Sequence, residues 1–243
     1  MISIIIPLYN ERENIIRYQQ DLFPIIDNIA LTYNEKIEYI MIDDGSKDDT
    51  VAQLRKVANG RLDTTILYHE INRGMGNAIK TGVAASKGEF IITMDADLTF
   101  RPADVSKLIE KLRETGADCV SGSPYLQKGL IEEVPPFRLF LSKTVNFLYR
   151  LLLRSNITCV SPIFRLYKRQ IFNEMKITSS NFEINAEIIS KLIMTGKKVV
   201  EVPVPLLKRR FGNSKINIIK EIKNYLSLFY KIFRTKYLHK EWI

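Results

Sequence analysis

Four short apolar runs rich in β-branched residues, at positions 3–7, 37–42, 64–69 and 90–94, are each followed by a polar loop and then by a segment of helical length. That alternation constrains the fold more than any other feature. Strands separated by single helices connect as right-handed βαβ units, which build a mainly parallel sheet with helices on both faces. The pattern predicts a helix after the first strand through about residue 30, broken or restarted at Pro24. Further helices are expected over 51–58, 78–85 and 102–115, with a fifth strand over 119–123. Beyond it come a mobile loop at 126–136, a basic amphipathic segment at 137–154, an apolar stretch at 160–167, a helix over 183–194 and a last strand at 198–203.

Sheets of this kind bind ligands beyond the C-terminal ends of their strands. Glu11, Asp43 and Asp95 all fall there. The run at 90–94 delivers Asp95 and Asp97 with Ala96 between them, two carboxylates placed to share one hard divalent cation, Mg²⁺ or Mn²⁺, with a substrate diphosphate. A turn followed by a cap is the bland alternative for an isolated Asp-x-Asp. Gly74 and Gly76 follow the third strand and lack a third glycine, so they do not form a dinucleotide fingerprint.

Charge is divided unevenly along the chain. The net formal charge is +9, yet residues 1–120 hold 14 Lys and Arg against 19 Asp and Glu, and residues 121–243 hold 22 against 8. No Asp follows Asp118. The second half therefore calls for an anionic partner: a phosphate, an acidic membrane surface or nucleic acid.

No run of 18 apolar residues is free of charges, and the segment 137–153 is interrupted by Arg138, Lys143 and Arg150. It is suited to lie on a membrane, not to cross one. The tail at 216–243 alternates apolar residues with lysines, which fits either a docking helix or an interfacial anchor. Cys119 and Cys159 have no metal or disulfide spacing, and the N-terminus reads as a strand instead of a leader, so a reducing cytoplasm is expected.

Taken in order, the motifs resemble the family 2 glycosyltransferases of GT-A fold, and within them the polyprenyl-phosphate (dolichyl-phosphate) sugar synthases. The resemblance rests on Ile4 to Asn14, Asp43 to Thr50, Met94 to Leu98, Phe164 to Tyr167, Val200 to Pro203 and Arg209 to Lys215. It implies a GT-A domain over 1–215 and a basic amphipathic helix over 216–243. It also implies a metal-dependent inverting transfer of a sugar from a nucleotide-sugar, GDP-mannose or a UDP-sugar, to a polyprenyl phosphate, on the cytoplasmic face of a membrane. Pro7, Tyr9 and Glu11 would form the first nucleotide-contact loop, and Asp43 would read base or ribose. Asp95 and Asp97 would hold Mg²⁺ or Mn²⁺, aided by Thr99 where relatives carry Gln. Arg209 and Lys215 would close on the diphosphate and acceptor phosphate, with Gly212 permitting the turn, and Arg138 would meet the acceptor phosphate.

The chain also departs from the family pattern. Pro124 stands where an acceptor-side arginine is common, and Cys159 where an Asp is common. The resemblance thus leaves room for a saccharide acceptor, for which Glu183 or Glu187 would be the base. From another class, a non-catalytic basic module binding membrane or nucleic acid is the rival. The strand-end carboxylates argue against nucleic acid as the partner.

Overall fold

The computed structural model describes residues 1–212, 217–239 and 242. Among these residues seven strands form one sheet: β1 (Ile2–Leu8), β2 (Ile37–Asp43), β3 (Thr64–Tyr68), β4 (Phe90–Thr93), β5 (Cys119–Ser123), β6 (Arg165–Lys168) and β7 (Val199–Pro203). Their order is β3-β2-β1-β4-β6-β5-β7. Every pairing is parallel except those of β6, which runs antiparallel to both β4 and β5. The expected α/β architecture is therefore present, with one reversed strand in it.

β1 reads as an almost continuous apolar run because both of its faces are covered. Ile2, Ile4, Ile6 and Leu8 enter one core, and Ile5 enters another on the opposite face. The first core lies under the broken helical segment α1 (Arg12–Ile15), α2 (Tyr18–Asp21) and α3 (Phe23–Tyr33) and under α6 (Val105–Thr115). Pro24 falls in the first turn of α3, where its missing N–H costs nothing, so the predicted restart is real. The same core also takes Leu54 and Val57 of α4 (Thr50–Val57), while α5 (Met75–Ala85) lies on the other face with Ile5. α5 packs closely enough on β1 and β2 that a Cβ added at Gly82 would come within 2.6 Å of Ile5 Cγ2.

The rest of the chain supplies α7 (Pro136–Leu153), the short α8 (Ile171–Glu174), α9 (Ile184–Met194) and α10 (Ile218–Leu238). Tyr149, Leu152 and Leu153 of α7 pack with Ile188, Ile189 and Leu192 of α9 and with Leu228 and Ile232 of α10 in a further core. The Tyr149 hydroxyl donates to the Tyr225 carbonyl at 2.9 Å, tying α7 to α10. α10 thus divides its apolar residues between two faces. Tyr225, Leu228, Phe229 and Ile232 dock inward, whereas Ile219, Ile222, Leu226, Tyr230 and Phe233 stand exposed. Among the described residues no helix is long and apolar enough to cross a membrane.

Candidate active site

A cleft of about 610 Å³ opens at the C-terminal ends of β1 and β4, where the topology places ligand sites. Pro7, Tyr9, Glu11, Asp95, Ala96, Asp97, Thr99, Arg138 and Arg209 all line it, so the fold gathers these nine sequence-predicted residues in one place. Asp43 lies just outside the lining. It is buried at the end of β2, its Oδ2 accepts the Ser46 amide at 3.0 Å, and its Oδ1 has no hydrogen-bond partner among the described residues. Lys215 lies outside the described residues.

The metal-binding candidates are held by backbone geometry. After β4 ends, the Met94 amide still donates to the Ile5 carbonyl at 3.0 Å. The buried Tyr18 hydroxyl then donates to the Ala96 carbonyl at 2.8 Å, pinning the peptide between the two carboxylates. Asp97 Oδ1 accepts the Thr99 amide at 3.1 Å, and Leu98 takes a left-handed φ of 56° to make that turn. Burial first, then the charges of Asp97 and Glu11, push the Asp95 carboxyl well above the usual range, against the opposing pull of Arg209.

Arg209 is the cation that relieves this crowding. It donates to both oxygens of Glu11, one of them at 2.6 Å, and its Nε lies 3.5 Å from Asp97 Oδ2. Segment 205–207 brings it there: the Leu207 amide donates to the Thr99 carbonyl at 2.9 Å and the Leu206 amide to the Leu130 carbonyl at 2.7 Å. Gly212, at φ 69°, turns the chain beyond it. All the donors around this guanidinium are hard oxygens, the chemistry that Mg²⁺ and Mn²⁺ take, and the arginine is already a stand-in for a cation among them. Among the described residues no three His, Cys, Asp or Glu side chains are grouped to hold an ion. Asp95 and Asp97 would therefore share it with ligand oxygens.

Other lining residues were not foreseen from the sequence. Asp44 accepts from His69 Nδ1 at 2.6 Å and from the amides of Arg73 and Gly74 at 2.9 and 2.8 Å, so it organises the loop that brings Asn72, Gly74 and Met75 to the cleft. The two glycines there serve close approach: a Cβ on Gly74 would lie 2.3 Å from the Ser180 carbonyl oxygen, and the Gly76 amide donates to that oxygen at 2.9 Å. At the other end, α7 contributes Leu139 and Ser142 beside Arg138, and Tyr125 donates to Ser142 at 2.8 Å. The first turn of α10 contributes Lys220 and Glu221.

Of the glutamates considered as bases, Glu187 is fully buried. It accepts from the amides of Thr178 and Ser179 and pairs with Lys191 at 3.1 Å. Glu183 Oε1 accepts the amides of Ser180 and Asn181, and neither glutamate lines the cleft. Cys159 is buried, with Asn146 Nδ2 3.6 Å from its sulfur.

Comparison with known proteins gives the family and the fold. The family model for glycosyl transferase family 2 matches residues 3–176. The chain is 31% identical over 237 residues to a dolichol-phosphate mannosyltransferase of Pyrococcus furiosus, covering 96% of this chain and 64% of that protein. It is 30% identical over 221 residues to a polyprenol monophosphomannose synthase of Mycolicibacterium smegmatis, covering 88% of this chain and 80% of the relative. In fold it matches the glucosyl-3-phosphoglycerate synthase of Mycobacterium tuberculosis with a TM-score of 0.69 at 16% identity, over 97% of this chain and 79% of that one. That enzyme was crystallised with Mn²⁺ and UDP, and also with Mg²⁺ and UDP.

Proposed function

The chain belongs to glycosyl transferase family 2, and from that premise we propose that it transfers a sugar, mannose by the names of its relatives, from a nucleotide-sugar to a polyprenyl phosphate with inversion. The observation that carries this reading is one cleft lined both by strand-end carboxylates and by the first turns of two amphipathic helices. Asp95, Asp97 and Glu11 would take the donor, and Arg138 and Lys220, from α7 and α10, would take the acceptor. Both helices continue outward with exposed aromatic and aliphatic side chains, Phe137, Phe140 and Phe147 on α7 and Ile219, Leu226 and Tyr230 on α10. A phosphate carried on a long apolar chain matches such a mouth.

Asp95 and Asp97 would hold Mg²⁺ or Mn²⁺, which when bound supplies Lewis-acid neutralisation of the leaving diphosphate. The chain's own groups do the rest. Tyr18, through the Ala96 carbonyl, keeps both carboxylates aimed into the cleft. Arg209 exchanges Glu11 for diphosphate oxygens, and Glu11, once released, is free to accept from the ribose hydroxyls. Pro7 and Tyr9 wall the base, with Asp43 buried behind that wall; Lys215 belongs with Arg209 in the same closing role. Arg138 and Lys220 bring the acceptor phosphate against the anomeric carbon. Its oxygen is already anionic, so alignment replaces a strong general base and the reaction is a single displacement. The exposed faces of α7 and α10 would rest on an anionic membrane surface.

Transfer of radiolabelled sugar from a panel of GDP- and UDP-sugars into an organic phase containing polyprenyl phosphate tests the reading. Labelled lipid is expected with one donor class, and its loss on adding EDTA identifies the metal requirement. Metal-dependent donor binding without any labelled lipid would retain the donor site and reject the lipid acceptor.

A further inference from the structure

Among the carboxyls lining the cleft that the transfer, as described, does not use, Glu221 differs in its burial. Glu221 sits in the first turn of α10, where the Asn217 side chain accepts the Lys220 amide at 3.1 Å and the Asn217 carbonyl accepts the Glu221 amide at 2.9 Å. It lines the cleft beside Lys220, yet its Oε2 is sealed from solvent and has no hydrogen-bond partner among the described residues. Such an oxygen is costly to leave unpaired, and it is worse if charged.

The groups facing it relieve that cost only in part. Just before α9 comes Glu183, whose Oε1 accepts the Ser180 and Asn181 amides at 3.2 and 3.3 Å and whose Oε2 accepts from Asn224 at 3.3 Å. From α10 itself come Lys220, whose ammonium donates to Asn181 at 3.3 Å, and the Tyr225 phenol. Arg138 of α7, Glu132, Glu133, Lys208 and Arg209 line the same cleft. Burial first, and then the Glu183 charge, raise the Glu221 carboxyl to about 7, with Lys220 and Asn224 opposing.

We propose that Glu221 is an acceptor-binding residue that carries a proton and donates it as a hydrogen bond to the acceptor phosphate, which makes acceptor binding proton-linked and selects phosphate monoesters. This rests on the reading of the acceptor as a polyprenyl phosphate. An ionised Glu221 would repel a phosphate dianion, whereas a carboxyl and a dianion together share one proton in a strong hydrogen bond. In the reaction a phosphate oxygen forms the bond to the anomeric carbon, the bond to the nucleoside diphosphate breaks, and its electron pair leaves with the diphosphate. Glu221 retains its proton throughout. The product is a phosphodiester with one negative charge fewer, a weaker partner for Glu221, Arg138 and Lys220, which favours its release.

The sign follows from the raised carboxyl. Its proton is present below the inflection and lost as pH rises through it, so the wild-type KM for the acceptor should climb by about tenfold per pH unit above that point, with kcat little changed. The experiment measures kcat and KM for a short-chain polyprenyl phosphate between pH 6 and pH 9, chosen to span the inflection near 7. Glu221→Gln, whose amide donates at every pH, should give a flat KM across the range. Glu183→Gln keeps an acceptor for the Ser180 and Asn181 amides but removes the charge, and should move the inflection to lower pH. A Glu221→Gln variant that keeps the wild-type slope, or loses kcat at unchanged KM, would overturn the proposal and leave the lipid acceptor standing. Wild-type protein that binds donor but transfers nothing to the lipid would overturn the acceptor reading and this proposal together.

Discussion

At the residue scale, the candidate site depends on side chains that never touch a substrate. Tyr18 is the clearest case, fully buried and 78 residues away in sequence from the carbonyl it holds. Burial, with Glu11, Asp97 and Asp95 nearby, keeps its hydroxyl neutral by raising its pKa. Tyr18→Phe removes the hydroxyl and leaves the Ala96 carbonyl unpaired, at about 1–3 kcal/mol. Metal-dependent donor binding should weaken while kcat at saturating donor changes less; calorimetry showing unchanged donor affinity would reject Tyr18 as a positioning residue. Glu187 makes a different kind of contribution. Its carboxyl is desolvated, yet hydrogen bonds from Ser179 and Thr178 and the Lys191 ammonium hold it below the usual glutamate range. Such stability is present above the unfolded-state pKa and lost as pH falls through the depressed folded one. Glu187→Gln leaves the buried Lys191 without its counter-charge, so about 3–5 kcal/mol should be lost at neutral pH. The gap between wild type and variant in denaturant midpoint should narrow below about pH 4, and a gap that widens there would contradict the linkage.

At the element scale, what the sequence conveyed and what it withheld have physical reasons. Strands β1, β2 and β4 were legible because strands covered on both faces read as nearly continuous apolar runs, and β3, β5 and β7 because short β-rich runs alternate with helical segments; the carboxylates at the ends of β1, β2 and β4 marked the ligand side. β6 was not legible as a strand. It has four residues, opens on the buried Arg165, and is a strand only because it fills the gap between β4 and β5. The Arg165 guanidinium satisfies itself on Ser121 Oγ and the carbonyls of Asn185 and Val160, partners that no local pattern announces. Asp44 was hidden for the same reason: next to Asp43 it reads as turn chemistry, and only the folded loop at 72–74 reveals its donors. The division of α10 into an inner and an outer face was also beyond periodicity, since a helix apolar on two sides satisfies both readings of its tail. Gly82, by contrast, is an element-level contact that a substitution can test. Gly82→Ala puts a methyl 2.6 Å from Ile5 Cγ2 and 2.8 Å from Ile42 Cδ1. α5 would lift from β1 and β2 at about 1–3 kcal/mol, read as a lower thermal midpoint. Ile5→Val in the same chain, which keeps Cγ2 but removes the Cδ1 methyl that also touches position 82, should restore only part of it.

At the scale of the whole molecule, the uneven charge has a spatial meaning. The acidic first half builds the sheet ends that gather carboxylates around a cation, and the basic second half builds the two helices, α7 and α10, that line the same cleft. Outside the cleft those helices leave Phe140, Phe147 and Leu151 of α7, and Leu226, Tyr230 and Phe233 of α10, in water. Lys143 and Arg150 of α7, and Lys223, Lys231 and Arg234 of α10, are exposed on the same helices. Apolar side chains interleaved with cations are suited to the boundary of an anionic bilayer, where each cation near the surface adds about 1 kcal/mol and salt screens it. If this is how the acceptor is met, replacing Lys143, Lys223 and Lys231 together by Gln should weaken binding to vesicles containing anionic lipid by about 100-fold and flatten its salt dependence, because three such contributions are removed. Donor binding in solution should not change, since none of the three lines the cleft. Vesicle binding that survives the triple substitution, or that wild-type protein shows equally with neutral lipid, would overturn the electrostatic contribution and leave the apolar side chains to carry the contact, whereas wild-type protein that binds no vesicle would leave the exposed faces to a protein partner, and the acceptor would then have to be delivered.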